Sequence, residues 1–356
     1  MTSPWGRPSW GPPGSAPSPY GGGWQRAPYG SPFGSPRLPQ YPPGPAMPPP
    51  RRRRNPLASL LRALVFLTLV SVVGMVLINS MAGTQAPAAP YQNEDYRVPP
   101  PDLSPPPLPV PETVGEAEAY IAENRFYEQT APVPVRCSAP PINVRTADDD
   151  QLQAHFEGLM ECLVRVWEQP VAAAGWEMVR PTVTIYGSRV TTKCGTTEVN
   201  AFYCAADQQI YYSNRLSDAV TIVRRNKWAA DVVMAHEFGH ALQARTAILI
   251  SAKALGQQSG SQQTELELSR RLETQADCFS GMFMRAVADS VGIAPSDREG
   301  IEDTYTAVGD DVLSGQANIN GNHGLGRSRR YWGAAGLDTS RVGDCNTFVV
   351  ERSLVR

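Results

Sequence analysis

His236-Glu237-Phe238-Gly239-His240 places two histidines four residues apart with a glutamate between them. On a helix that spacing stacks both imidazoles on one face, about 6 Å apart along the axis, within reach of one zinc ion at roughly 2.0–2.1 Å. Glu237 falls just off that face, where it can take a proton from an activated water. Val232, Val233, Met234, Ala235, Phe238, Ala241 and Leu242 flank the motif. The helix should therefore be buried, and buried histidines need partners, which a metal supplies. Two histidines leave a tetrahedral zinc short of one protein ligand. A metzincin would use Gly and His three and six positions past His240, but Gln243 and Thr246 stand there.

The acidic candidates lie on the next long helical stretch: Glu265, Glu267, Glu273 and Asp277. Glu273 and Asp277 are four apart and share a face. That pairing suits a carboxylate ligand followed by an Asp that accepts the outer N–H of His236. Glu265 and Glu267 sit near the helix start, where capping and the helix dipole account for them. His323, in the Gly/Asn-rich loop 318–326, is the candidate for a second electrophile beside the metal. Tyr305 and Tyr331 are further candidate donors, and His155 reads as structural or solvent-facing.

Short strands followed by a helix-rich half must position these groups, which predicts an α+β domain with a small β-sheet. Helical patterning covers 116–127 and 150–168. Strands are expected at 181–186 and 209–212, the second a candidate for aligning substrate backbone. A short helix near 216–225 leads into a metal helix expected to run from Lys227 to Leu255 and stop at Gly256. Thr264 with Glu267, and Ser296 with Glu299, read as capping boxes opening helices to about Ala288 and Leu313. The six cysteines at 137, 162, 194, 204, 278 and 345 include no CxxC pair. An even count suits disulfides; of the fifteen pairings six cysteines allow, Cys194 with Cys204 is expected first, with Cys278–Cys345 and Cys137–Cys162 as the set that then completes it.

Composition divides the rest of the 356-residue chain. Half of residues 1–50 are Pro or Gly, so 1–54 is expected to be a disordered tail, either a docking strip for a cytoplasmic partner or a plain solvated segment. Arg51–Arg54 precede an apolar run at 57–81 interrupted only by Arg62. That run predicts one transmembrane helix with the N-terminus cytoplasmic and the C-terminal part extracytoplasmic at the cell membrane. Residues 83–111 read as a Pro/Ala-rich spacer, and 112–356 as the folded domain. Residues 1–62 carry eight arginines and no acid, leaving 24 basic against 34 acidic groups, a formal charge of −10. That balance disfavours nucleic acid as a partner.

Several segments together resemble the bacterial neutral zinc metallopeptidase family. They are 235–240 (Ala-His-Glu-Phe-Gly-His), 272–278 (Leu-Glu-Thr-Gln-Ala-Asp-Cys), Gly309-Asp310-Asp311 and His323-Gly324. The Cys194-Gly195 and Phe202-Tyr203-Cys204 pieces and the closing 343–348 are similar as well, so the likeness covers about 146–348. It implies a membrane-anchored protein with a zincin-like fold and a gluzincin-like zinc site. On that resemblance His236, His240 and Glu273 are ligands and Asp277 lies behind His236. The chain departs from the pattern at Ala241, where the family often has a histidine, and across 324–330. The expected function is a zinc metallopeptidase (Zn²⁺ cofactor) cleaving a peptide or protein substrate, with Glu237 as general base. The alternatives are a catalytically silent zinc-binding scaffold or receptor of the cell envelope, and a zinc hydrolase of a non-peptide bond.

Overall fold

The computed structural model describes residues 56–81 and 90–356. The chain divides into two units, Met1–Thr84 and Gln85–Arg356. In the first, Pro56–Met81 forms helix α1, while the expected tail 1–54 lies outside the described residues. No helix among the described residues is long and apolar enough to cross a membrane. The expected single-pass anchor, and the extracytoplasmic placement that depended on it, are corrected accordingly.

The second unit is mixed α and β, mostly helical. Helices α2 (Val114–Ala122) and α3 (Asp149–Ala173) come first, then strands β1 (Val183–Tyr186), β2 (Val190–Thr192), β3 (Gly195–Thr197), β4 (Ala201–Cys204) and β5 (Gln209–Ser213). Helices α4 (Leu216–Ala219), α5 (Thr221–Arg225), α6 (Ala229–Arg245), α7 (Ile248–Ser259) and α8 (Gln262–Val291) follow, then α9 (Arg298–Ala307), α10 (Asp310–Ser314) and α11 (Gly326–Asp338). A three-stranded sheet has the order β1-β5-β4, with β1 parallel and β4 antiparallel to β5. β2 and β3 form a separate hairpin. Because β5 is the middle strand, both of its edges are paired and it cannot take an added strand; β1 and β4 are the two edge strands, and β4 packs on α6.

Helix α6 is buried nearly all round, between α3, α8 and the sheet. Its sequence continues apolar toward Gly256, yet the helix stops at Arg245. Ala247 turns into the left-handed region at φ 62°, and Thr246 Oγ1 donates back to the Leu242 carbonyl at 2.8 Å. The side chain of Asn124 donates to the Thr246 carbonyl at 2.8 Å, which satisfies a group the break leaves free. So the single expected helix is two, α6 and α7. Helix α8 starts earlier than Thr264: Ser261 is its N-cap, and Glu267 instead pairs with Arg271 at 2.9 Å and with Arg352. The helix expected after Ser296 opens at Arg298 and divides at Gly309 into α9 and α10. The stretch expected at 116–127 keeps α2, capped by Thr113, and continues as a 3₁₀ turn at Arg125–Glu128.

Three bridges join Cys137–Cys162, Cys194–Cys204 and Cys278–Cys345, with no free cysteine. The described part of the expected spacer, 90–111, is no free standoff. Its carbonyls are gripped by arginines of the domain: Arg165 donates to Tyr96 at 2.8 Å, Arg180 to Pro99 at 3.2 Å and Arg245 to Pro106 at 3.1 Å.

Candidate metal centre

Helices α6 and α8 cross where each carries its chemistry, and Gly239 sets how close they come. A Cβ added at Gly239 would stand 3.0 Å from the Ala276 Cα, so the small residue inside the histidine pair lets the α8 backbone approach. That approach brings Glu273, one turn before Asp277, onto the two imidazoles. His236 Nε2 lies 3.3 Å from Glu273 Oε2, and His240 Nε2 lies 3.6 Å from Glu273 Oε1. One donor atom from each of the three residues falls within 4.8 Å of the others. A tetrahedron with bonds of 2.0–2.2 Å has edges of about 3.3–3.6 Å, so each imidazole nitrogen stands at such an edge distance from one Glu273 oxygen, and two imidazoles with a carboxylate are the donor types zinc takes.

Each imidazole is oriented from behind. His236 Nδ1 donates to Asp277 Oδ1 at 2.8 Å, and His240 Nδ1 donates to Gln243 Oε1 at 2.8 Å. Both rings thereby present Nε2 to the cluster. Asp277 is held by Arg329 of α11, whose Nε and Nη2 each donate to it at 2.8 Å; the third nitrogen of that guanidinium donates to the Val308 carbonyl at 2.8 Å. Burial alone would raise the Asp277 carboxyl, but Arg329 and then His236 keep it below the usual range. For Glu273 burial again opposes ionisation, and the charge of His240 with hydrogen bonds from both histidines holds it well below.

Glu237 is buried at the same cleft, and its Oε2 accepts the Tyr203 backbone N–H of β4 at 2.9 Å. Burial pushes its pKa up. His323 borders the cleft with its side chain 44 % exposed. Asp310 fixes it twice, accepting the backbone N–H at 2.9 Å and meeting Nδ1 at 3.2 Å. The Asp310 contact raises the His323 pKa against the effect of burial. The cleft measures about 440 Å³.

The structure brings His236, Glu237, His240, Glu273, Asp277 and His323 to one cleft. Tyr305 is buried with its hydroxyl on Ser280 Oγ at 3.1 Å, and Tyr331 is exposed and absent from the cleft wall, so neither aims a donor at the cluster. His155 is buried against Asp231 at 2.7 Å, a structural pair. Sequence reasoning missed Gln243, Arg329 and Asp310. Gln243 had a signal, since it stands one turn from His240. Arg329 had none: it is one of three arginines at 327–330, and its partner is 52 residues away.

A family model described as "Putative neutral zinc metallopeptidase" matches residues 133–348, and zinc is the cofactor that family implies. Uncharacterized protein YpfJ of Escherichia coli (strain K12) is 30% identical over 195 residues, 51% of this chain and 66% of the relative. Uncharacterized protein Mb2605 of Mycobacterium bovis is 28% identical over 189 residues, 48% of this chain and 62% of the relative. The chain thus spans just under two thirds of the curated relatives it matches. No solved structure matches.

Proposed function

We propose, since the chain belongs to the putative neutral zinc metallopeptidase family, that it hydrolyses peptide bonds, with His236, His240 and Glu273 as metal ligands and Glu237 as general base. The observation that carries this reading is a buried carboxylate standing beside a cluster that, among the described residues, has three donors. A purely structural zinc takes four protein ligands and needs no base. Bound there, zinc would supply an acidified water and a Lewis acid for the substrate carbonyl.

The protein's own groups do the rest. Tyr203 occupies Glu237 Oε2, leaving Oε1 to accept the proton of the attacking water. A carboxylate made more basic by burial takes that proton more readily, and it hands the proton to the departing amine. His323, whose protonated form the Asp310 contact favours, donates from Nε2 to the carbonyl oxygen as it gains charge. The free edge of β4, next to Glu237, aligns the substrate backbone as an added strand.

Glu237→Gln in the zinc-loaded full chain should lower cleavage of a casein-type substrate by about 10²–10⁴-fold while zinc content stays at the wild-type value. Equal cleavage by that variant would refute the assignment.

A further inference from the structure

The cleft beside Glu237 continues along the N-terminal half of α6 into an arm bounded by α5 and α9. Val233 lies one turn before Glu237 on the same helix face. Val220, at the junction of α4 and α5, and Val308, which caps α9, line the same cavity, and all three are half-buried. Leu216, Val223 and Val232 lie buried beneath them. Two hydroxyl side chains also reach this wall, and both are committed elsewhere. Thr304 Oγ1 donates to the Gly300 carbonyl at 3.0 Å and accepts from Asn226 at 3.1 Å. The Tyr305 hydroxyl is held by Ser280 at 3.1 Å. Neither hydroxyl is free to receive a polar or charged group, and the other side chains named here are apolar.

We propose that this arm is a specificity subsite taking an apolar side chain, of the Leu or Phe kind, from a residue next to the bond that is cut. The inference rests on the peptidase reading above. An apolar side chain seated there removes Val220, Val233 and Val308 from water together with its own surface. A charged side chain would be stripped of water and find no partner. In pockets of this type a single methylene discriminates by about 10–200-fold, so the preference should be easily read.

The zinc-loaded full-length chain is incubated with a randomised peptide library, and cut sites are read by mass spectrometry. One position flanking the cut bond should be enriched at least about tenfold in Leu, Ile, Val, Met or Phe over Asp, Glu and Lys. Val220→Asp should move that position toward Lys and Arg, and Val220→Arg toward Asp and Glu; a new preference cannot come from a poorly folded variant. Cutting without apolar preference at either flanking position, or a profile unchanged in both variants, overturns the subsite and leaves the peptidase reading standing. A wild-type protein that cuts nothing overturns the peptidase reading, and the subsite with it.

Discussion

The two imidazoles are held from behind by unlike partners, a carboxylate for His236 and an amide for His240. Gln243 is itself fixed, donating to the Leu272 carbonyl at 2.8 Å and to Gln275 at 3.1 Å, so its carbonyl oxygen has no choice but to face His240. Gln243→Leu should weaken zinc binding by about 10–100-fold, measured by competition against a chromophoric chelator. An unchanged affinity would mean that His240 needs no orientation. Glu273→Ala should leave the purified protein largely without zinc; full metal content in that variant would redirect the third ligand to Asp277 or His323. Glu273 and Asp277 were legible beforehand because two residues four apart on a helix share a face. Arg329 was not, because a bidentate grip on Asp277 is a property of how α11 lies on α8.

The element that decides the site is α8, whose middle stretch packs on α6 with one face and on α11 with another. Gly281 permits the second contact: a Cβ there would fall on the Gly333 carbonyl oxygen and 2.9 Å from the Leu337 nitrogen. Gly281→Ala should cost about 1–3 kcal/mol, a fall of roughly 2–10 °C in melting temperature, checked by thermal unfolding; a wild-type midpoint would contradict this close packing. A second device is the bridge at the end of β4. Cys194 is exposed, whereas the other five cysteines are buried. A thiol reductant should open Cys194–Cys204 first, loosen the strand whose Tyr203 N–H holds Glu237, and reduce cleavage before the fold is lost. Alkylation with mass spectrometry gives the order, and earlier opening of Cys278–Cys345 would count against it. The strands at 181–186 and 209–212 were visible from alternation, but not that β5 lies inside the sheet and β4 at its edge, since strand order depends on pairings distant in sequence.

In the unit Gln85–Arg356, the segment 90–111 is tied down by Arg165, Arg180 and Arg245 and does not line the cleft. If the native state alone gathers the three donors, metal must stabilise the fold. At a free zinc concentration about 1,000 times the dissociation constant the gain is about 4.1 kcal/mol. A chelator should therefore lower the melting temperature and added zinc restore it in calorimetry. Identical curves with and without metal would show that the native fold does not hold it.

Spacing within a turn or two is set by helix geometry alone, so the sequence determined by itself that His236 and His240 face together, that Glu237 stands beside them, and that Glu273 and Asp277 form a second pair. It also carried the α+β class and the expectation of disulfides, whereas their full connectivity came from the structure. Only the tertiary structure decided that the two pairs meet, that Gln243 and Arg329 stand behind them, and that α6 ends at Arg245. Those outcomes rest on backbones approaching at Gly239 and Gly281 and on the left-handed turn at Ala247. Each depends on what packs against the chain from far along it, which no local pattern records.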